Sequence, residues 1–455
     1  MNTNDELIVD IEKMLYEGQG LARVDGFPVF IDDVCPNDKV KIKITKMKKN
    51  FANGEVVEII EPSKYRIKPF CALHNSCGGC QWQHIEYSEQ LRQKQNIVAE
   101  TVRKFAGEDI EVREVIASPK QSEYRHKVQY PISQTKVSKR ILAGYYKKHT
   151  HELINIKHCP IQPQIIDELM TNIREEAQNI GINAYNEKNN KGLLRHVVFK
   201  HSSSNHKTLI TFVINSDDVV DSIDQLASII YKNNKNIAGI CVNFNTSKSN
   251  VILGKTSKCL IGEDFYTEEI GSISYQISAN SFFQVNPYSA EKIFNTVKSM
   301  LEENSTNPTV LDAYSGVSSF GIWLKDTASN VTCVEEIEAA SLDAKSNVHK
   351  NNAKNVEIIN GEASKVFEKL VNEGRKFDAI LLDPPRKGCD QQALDYAINL
   401  SNSLIIYVSC NPSSLARDLK YLSENGFKTQ YIQPVDMFPH TYHIESVALI
   451  KKVAV

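Results

Sequence analysis

Cys410 stands in Ser409-Cys410-Asn411-Pro412, directly after the apolar run Leu404-Ile405-Ile406-Tyr407-Val408. The carboxyl end of a buried strand is where α/β sheets place their chemistry, and a thiolate there would be a nucleophile. Alone, the same residue reads first as a small buried hydrophobe, the commonest fate of a cytosolic cysteine. Two further strand ends are loaded. Thr309-Val310-Leu311-Asp312-Ala313 runs through Tyr314-Ser315-Gly316 into the helical segment that begins near Phe320. Such a strand, turn and helix lets backbone N–H groups approach a nucleotide-like ligand. The next strand, Asn330-Val331-Thr332-Cys333-Val334, ends in Glu335, where doubly wound folds place the acid that accepts hydrogen bonds from a ribose diol. Finally, Asp378-Ala379-Ile380-Leu381-Leu382 ends in Asp383-Pro384-Pro385-Arg386, and two consecutive prolines make the chain leave the strand tip on one fixed course.

The elements that carry these residues describe one architecture. Apolar strands alternating with helical segments predict an α/β, Rossmann-like doubly wound domain over 271–455. A chain of 455 residues has room for about three domains. Residues 1–62 read as a small β-barrel with strands at 6–11, 20–24, 29–30 and 39–44; Lys39, Lys41 and Lys43 share one face of the last, Val40, Ile42 and Ile44 the other. Residues 63–270 read as a mixed α+β domain with strands near 124–130 and 194–199. Within it, a segment of about 87–115 places Leu91, Val98, Val102 and Phe105 at helical spacing as a core stripe, a candidate to pack on the catalytic domain. No apolar run reaches the roughly 18 residues a membrane span needs. The N-terminus Met1-Asn2-Thr3-Asn4-Asp5-Glu6 lacks the basic and apolar regions of a signal peptide, so the cytoplasm is expected. A net charge of −2 excludes broad electrostatic binding of nucleic acid. Affinity for RNA would have to come from local patches: Lys46, Lys48 and Lys49 with Phe51, or Lys136, Lys139, Arg140, Lys147 and Lys148, with Arg125 and Arg195 as single candidates. A monomer is expected.

Asp383-Pro384-Pro385-Arg386, Ser409-Cys410-Asn411-Pro412 and the late His443-Ile444-Glu445-Ser446, with Ser281-Phe282-Phe283-Gln284-Val285-Asn286 upstream, resemble the RNA uracil-C5 methyltransferases over essentially the whole chain. The resemblance implies S-adenosylmethionine (SAM) as methyl donor. C5 of uracil is too poor a nucleophile to take a methyl group from a sulfonium unaided, so the family adds a thiolate to C6 and later removes the C5 proton. Cys410 would be that nucleophile and Glu445 that base. The SAM contacts would fall on Gln284, Tyr314, Glu335 and Asp383. Where the family commonly repeats glycine in the first turn this chain has Ser318, so a Cβ is expected where the cofactor approaches. Glu17-Gly18-Gln19-Gly20-Leu21-Ala22 resembles the TRAM domain, an OB-like RNA-binding barrel.

Ten cysteines suit reduced thiols and a metal. Cys71, Cys77 and Cys80 form C-x5-C-x2-C, and Cys159 lies in His158-Cys159-Pro160. The pattern resembles the branch of the family that holds a 4Fe-4S cluster on four thiolates. Zinc on the same four is the physical alternative, and a metal-free loop the third. Cys35, Cys241, Cys259, Cys333 and Cys389 read as packing residues. The iron–sulfur branch resembles the 23S rRNA (uracil-5-)-methyltransferases, which makes structured ribosomal RNA the expected partner and transfer RNA the runner-up. A base in folded RNA must be flipped out to reach Cys410. The competing reading is an RNA-binding or ribosome-assembly factor whose methyltransferase domain has decayed, with Ser318 as its first sign. An amino-group methyltransferase fits less well, since Arg386 stands where those enzymes stack an aromatic residue on the base.

Overall fold

Alternation of apolar and polar residues builds the first sheet. Strands β1 (Glu6–Asp10), β2 (Lys13–Met14), β3 (Gly20–Val24), β4 (Phe27–Ile31), β5 (Lys39–Met47) and β6 (Ala52–Glu61) pair in the order β1-β5-β6-β4-β3-β2. Along β5, Val40, Ile42 and Ile44 are buried while Lys39, Lys41 and Lys43 stay partly in water, as period-two alternation requires. The inward residues join Val9, Ile11, Val29 and Ile31 in one core. This computed structural model describes residues 1–107 and 109–453; position 108 of the expected central span and 454–455 of the expected catalytic span lie outside them.

After the sheet come helix α1 (Tyr87–Ala106) and the short β7 (Glu111–Val112). The chain then forms β8 (Lys127–Gln134), β9 (Ile141–Tyr146), β10 (Leu153–Asn155), α2 (Gln164–Ile180), β11 (Leu194–His201), β12 (Thr208–Ile214), α3 (Asp221–Asn233), β13 (Ile237–Phe244) and β14 (Thr256–Gly262). These strands make a seven-stranded sheet in the order β10-β9-β8-β11-β12-β13-β14. The strand expected at 124–130 starts instead at Lys127, and Tyr124 is buried ahead of it. A hairpin of β15 (Phe265–Ile270) and β16 (Ile273–Ser278) precedes α4 (Pro287–Glu302), whose Pro287 takes the first helical position and whose Asn286 caps it by accepting from Ser289 N–H.

The remaining elements are β17 (Thr309–Ala313), α5 (Ser319–Trp323), β18 (Asn330–Glu335), α6 (Glu338–Lys350), β19 (Val356–Asn360), α7 (Ala363–Asn372), β20 (Phe377–Leu382), α8 (Gln391–Leu400), β21 (Ser401–Ser409), α9 (Pro412–Glu424), β22 (Phe427–Val435) and β23 (Glu445–Lys452). Their sheet has the order β19-β18-β17-β20-β21-β23-β22-β7. Strands β17, β18, β19 and β20 run parallel; β17, β18 and β20 are largely buried on both faces, while the edge strand β19 is mostly partly exposed. By compactness the chain divides into two units, with the division falling inside β21. One comprises Met1–Ser118, Pro385–Cys389 and the chain from Tyr407 onward; the other comprises Pro119–Pro384 and Asp390–Ile406. In the first unit α1 packs on α9, and β7 pairs with β22. Among the described residues no helix is long and apolar enough to cross a membrane.

Candidate active site

In the first unit, the thiol and the late acid sit at strand ends. Cys410 is half-buried between the last residue of β21 and α9. Asn411 caps α9 by accepting from Ser413 N–H at 3.0 Å, and its N–H donates to Ser409 Oγ at 3.1 Å, so the turn bearing Cys410 is closed on both sides. The positive end of a helix is the setting in which thiolates form. The Arg386 carbonyl accepts from Asn411 Nδ2 and from Ser414 Oγ, each at 3.1 Å, which joins the Asp-Pro-Pro-Arg loop to this turn.

Glu445 opens β23 opposite Val435 and is buried. The loop before it is held by α1. The Lys94 ammonium, wholly buried, donates to Asp436 Oδ1 at 2.7 Å and to the Phe438 carbonyl at 3.0 Å. Tyr87 O–H donates to Asp436 Oδ2 at 2.8 Å. Gln90 Oε1 accepts from His440 N–H at 2.8 Å, and Trp82 N–H donates to the His440 carbonyl at 2.9 Å. Nothing in the spacing of Leu91, Val98, Val102 and Phe105 signalled this polar anchor. Phe105, expected in the core stripe, is exposed, while Gln90, Gln93 and Lys94 are buried. The Tyr16 phenol, in the same unit, is pushed up to about 12 by burial, with the Arg386 guanidinium opposing the rise and the charges of Tyr442, Cys410 and Glu445 adding to it.

The second unit holds the other expected residues. Tyr314, Gly316 and Ser318 have φ of 61°, 56° and 63°, alternating with residues of negative φ. Such alternation turns successive N–H groups toward one side. Glu335 fills part of that concavity: its Oε2 accepts from Gly316 N–H at 2.8 Å and its Oε1 from Ile337 N–H at 2.7 Å. Each carboxylate oxygen keeps a second lone pair for a ligand hydroxyl. A Cβ built on Gly316 would meet nothing within 4 Å, so the loop's outer side is open. Ser318 does not put its Cβ there. It takes the left-handed backbone a glycine would take, and its Oγ turns inward to 3.2 Å from Cys333 Sγ.

Asp312 is the last residue but one of β17, and Asp383 directly follows β20. Asp312 Oδ2 accepts from Gly321 N–H at 3.0 Å, while Oδ1 is buried with no partner among the described residues. Burial, then the charge of Asp383, pushes Asp312 up to about 8; burial pushes Asp383 up to about 7. Burial thus favours the uncharged form of both acids, and a positive charge brought against them would favour the charged form instead. Gln284 is half-buried on the segment 281–286. The start of that segment is fixed from beneath. The buried Lys200 ammonium donates to the carbonyls of Ser278, Ala279 and Ser281 at 2.7, 2.8 and 2.7 Å. Asp343 accepts from Ser278 N–H at 2.8 Å and from Ser281 Oγ at 2.6 Å. Neither Lys200 nor Asp343 carried a sequence signal, for each stands in an unremarkable strand or helix pattern.

Cys71, Cys77 and Cys80 are half-buried in a tight loop in which Cys77 N–H donates to Leu73 O at 2.8 Å and Gly79 N–H to Cys77 Sγ at 3.4 Å. Cys159 is buried in the second unit. No disulfide joins any of the ten cysteines among the described residues. Three thiols in one loop, with an amide already aimed at sulfur, fit a thiolate-held cluster. The expected basic patches divide. Lys136 and Lys139 line a groove of about 630 Å³ with Lys191, Tyr146 and Tyr185. Arg195 lines the same groove while its guanidinium donates to the carbonyls of Asn245 and Ser247, each at 2.6 Å, and Phe51 stacks on Phe30 with centroids 5.1 Å apart.

Residues 86–453 match the tRNA (Uracil-5-)-methyltransferase family, and residues 2–57 match the TRAM domain. An uncharacterized RNA methyltransferase of Bacillus cereus is 38% identical over 451 residues, covering 99% of this chain and 98% of its own. One from Clostridium acetobutylicum is 36% identical over 453 residues, covering 99% and 98%. Among solved structures, the Pyrococcus abyssi tRNA (uracil-54, C5)-methyltransferase in complex with S-adenosyl-L-homocysteine is similar with a TM-score of 0.76 at 26% identity, over 97% of this chain and 99% of that one.

Proposed function

Because the chain belongs to the tRNA (uracil-5-)-methyltransferase family, we propose that it transfers a methyl group from SAM to C5 of a uridine in structured RNA, 23S rRNA first. The observation that carries the reading is the placement of a thiol just after β21 and an acid at the start of β23, two neighbouring strands of one sheet. SAM supplies an electrophilic methyl on a sulfonium. The Cys410 thiolate forms a bond to C6 of the flipped uracil, and the C5–C6 π pair moves toward O4 as an enolate. C5 then takes the methyl group, the S–CH₃ electron pair staying on the departing sulfur. Glu445 removes the C5 proton, the C–H pair becomes the C5–C6 double bond, and the thiolate leaves. Gln284, Tyr314, Glu335 and Asp383 are the residues we assign to SAM. The open side of Gly316, the remaining lone pairs of Glu335 and the buried acids support that assignment.

Cys71, Cys77, Cys80 and Cys159 are the ligands we assign to a 4Fe-4S cluster, whose part would be to order the chain and position RNA. Ten thiols without a disulfide among them suit the reducing cytoplasm. Transfer RNA is the second reading for the substrate, favoured by the Pyrococcus abyssi neighbour, a tRNA enzyme by its description. A decayed site has lost its support, since Ser318 turns away from the open side of the loop.

The test is intact-mass analysis of anaerobically purified protein after incubation with SAM and RNA containing 5-fluorouridine. Fluorine at C5 cannot leave as a proton, so the adduct accumulates. Wild type is expected to form a methylated protein–RNA adduct with rRNA fragments and Cys410→Ala none; Glu445→Gln is expected to accumulate the adduct even with ordinary uridine. Absence of any wild-type adduct with rRNA or tRNA would overturn the reading. The same preparation tests the metal: about four irons and four labile sulfides per chain are expected, falling to near zero in Cys77→Ala, whereas zinc in their place would reassign the site.

A further inference from the structure

Tyr16 lies outside every motif that marks the site, in the turn between β2 and β3 of the N-terminal sheet. That turn is built to hold one position. Leu15 N–H donates to Gln19 O at 2.8 Å, and Gly18 N–H donates to Leu15 O at 3.0 Å. Gly18 has φ of 94°, and a Cβ there would come 3.0 Å from the Tyr442 ring and 3.1 Å from Gln81 Cβ. Its carbonyl accepts from the indole N–H of the fully buried Trp82 at 3.0 Å. Just upstream, Met14 N–H donates to Gln93 Oε1 at 2.9 Å, which fastens β2 to α1.

The result is a tyrosine of the N-terminal sheet domain set against the segment that carries the late acid. The Tyr16 ring meets Tyr442 edge-on with centroids 5.5 Å apart, and Tyr442 lies on His443 at 4.2 Å. Glu445 follows two residues later. Tyr16 is half-buried and packs with Tyr442 at the margin of the core formed by Met14, Cys35, Trp82, Ile85 and Ile97. Its hydroxyl stays protonated well beyond neutral pH because burial, Tyr442, Cys410 and Glu445 all disfavour a phenolate, against the pull of Arg386. A half-buried phenol that packs on Tyr442, three residues ahead of Glu445, and keeps its proton is a donor waiting for an oxygen.

We infer that Tyr16 is a further residue of the active site: the N-terminal barrel forms one wall of the target-base pocket, and the Tyr16 hydroxyl donates a hydrogen bond to the uracil oxygen on which negative charge gathers as Cys410 adds to C6. The inference rests on the uracil-C5 reading. Its physical basis is that a fixed, partly desolvated donor contributes most where charge develops, so it lowers the barrier more than it tightens the ground state. The barrel thereby has a part in the chemistry as well as any part in holding RNA.

The experiment compares full-length, cluster-loaded wild type with Tyr16→Phe, which keeps the ring and its contact with Tyr442 and removes only the hydroxyl. Three quantities are read on one RNA: kcat, KM for RNA, and the rate of adduct formation with 5-fluorouridine. Expected are a fall in kcat of roughly 30–300-fold, a KM within about threefold, and adduct formation slowed by the same factor as kcat. A kcat within about threefold of wild type would overturn the inference, leaving Tyr16 as packing. A loss that falls wholly in KM would overturn it too, making Tyr16 an RNA grip. Should the wild type form no adduct, the uracil-C5 reading fails and takes this inference with it; an adduct in wild type with an unaffected Tyr16→Phe sinks the inference alone.

Discussion

Asp312 shows how a single residue can couple stability to proton concentration. Its carboxyl is wholly buried, one oxygen lacks a partner among the described residues, and burial together with the Asp383 charge raises it to about 8. In the unfolded chain an aspartate titrates near 4. Between these values the unfolded state has lost the proton that the folded state keeps, so the contribution is fully present below about pH 4 and is lost as pH rises through about 8. In denaturant titrations from pH 5 to 7.5, wild type is therefore expected to lose stability with rising pH more steeply than Asp312→Asn, by up to about 1.4 kcal/mol per pH unit; equal slopes would show that the group titrates normally. The motif around Asp312 was legible in the sequence as a strand running into a ligand loop. Its protonation was not, because that depends on Asp383 from another strand. Ser318 shows the same limit. A serine in place of glycine reads as an obstruction until the backbone is seen, where a left-handed serine costs about 1–2 kcal/mol and sends its Cβ inward toward Cys333.

At the scale of elements, α1 is the piece whose sequence misleads most. Apolar spacing marks a helix correctly and marks Val98 and Val102 as core. The same spacing gives no warning that the flank with Gln90, Gln93 and Lys94 is buried as well, since polar residues on a helix normally face water. They are buried because the loop 436–440 presents a carboxylate and backbone groups to them. Lys94 and Asp436 are both wholly inaccessible to solvent and 2.7 Å apart. Removing one partner leaves an uncompensated buried charge, so Lys94→Met is expected to destabilise the protein by about 3–5 kcal/mol. Lys420→Ala, which breaks an exposed pair with Glu424 on α9, should cost under about 0.5 kcal/mol. Urea unfolding of both variants checks the contrast, and similar costs would mean that burial is not what gives the first pair its weight. The strands were easier to foresee. In β5 and in β17, β18 and β20 the side-chain pattern and the burial agree, because one or both faces of the sheet impose it.

For the whole molecule, the α/β class and an N-terminal TRAM domain follow from motifs that are local in sequence. The grouping into compact units does not, because it depends on returns of the chain: residues 385–389 and the chain from Tyr407 onward cluster with residues 1–118, after an excursion of 266 residues from Pro119 to Pro384. A linear reading assigns Cys410 and Glu445 to the domain of their neighbours in sequence. Contacts assign them to the unit that also contains Tyr16, Trp82 and α1.

The seam made by Gly18, Trp82 and His440 bears on how such a protein can diverge. Trp82 reads both partners at once, its indole N–H on the Gly18 carbonyl and its backbone N–H on the His440 carbonyl. A barrel borrowed from a relative would have to bring a turn with the same bare backbone at position 18, or the donor tryptophan and the ring of Tyr442 would have no seat. The first domain is thus heritable only together with its socket. Among the described residues, the outward lysines of β5 carry no such tie to the rest of the chain, whereas the five residues of the turn are bound to it through Trp82 and Tyr442.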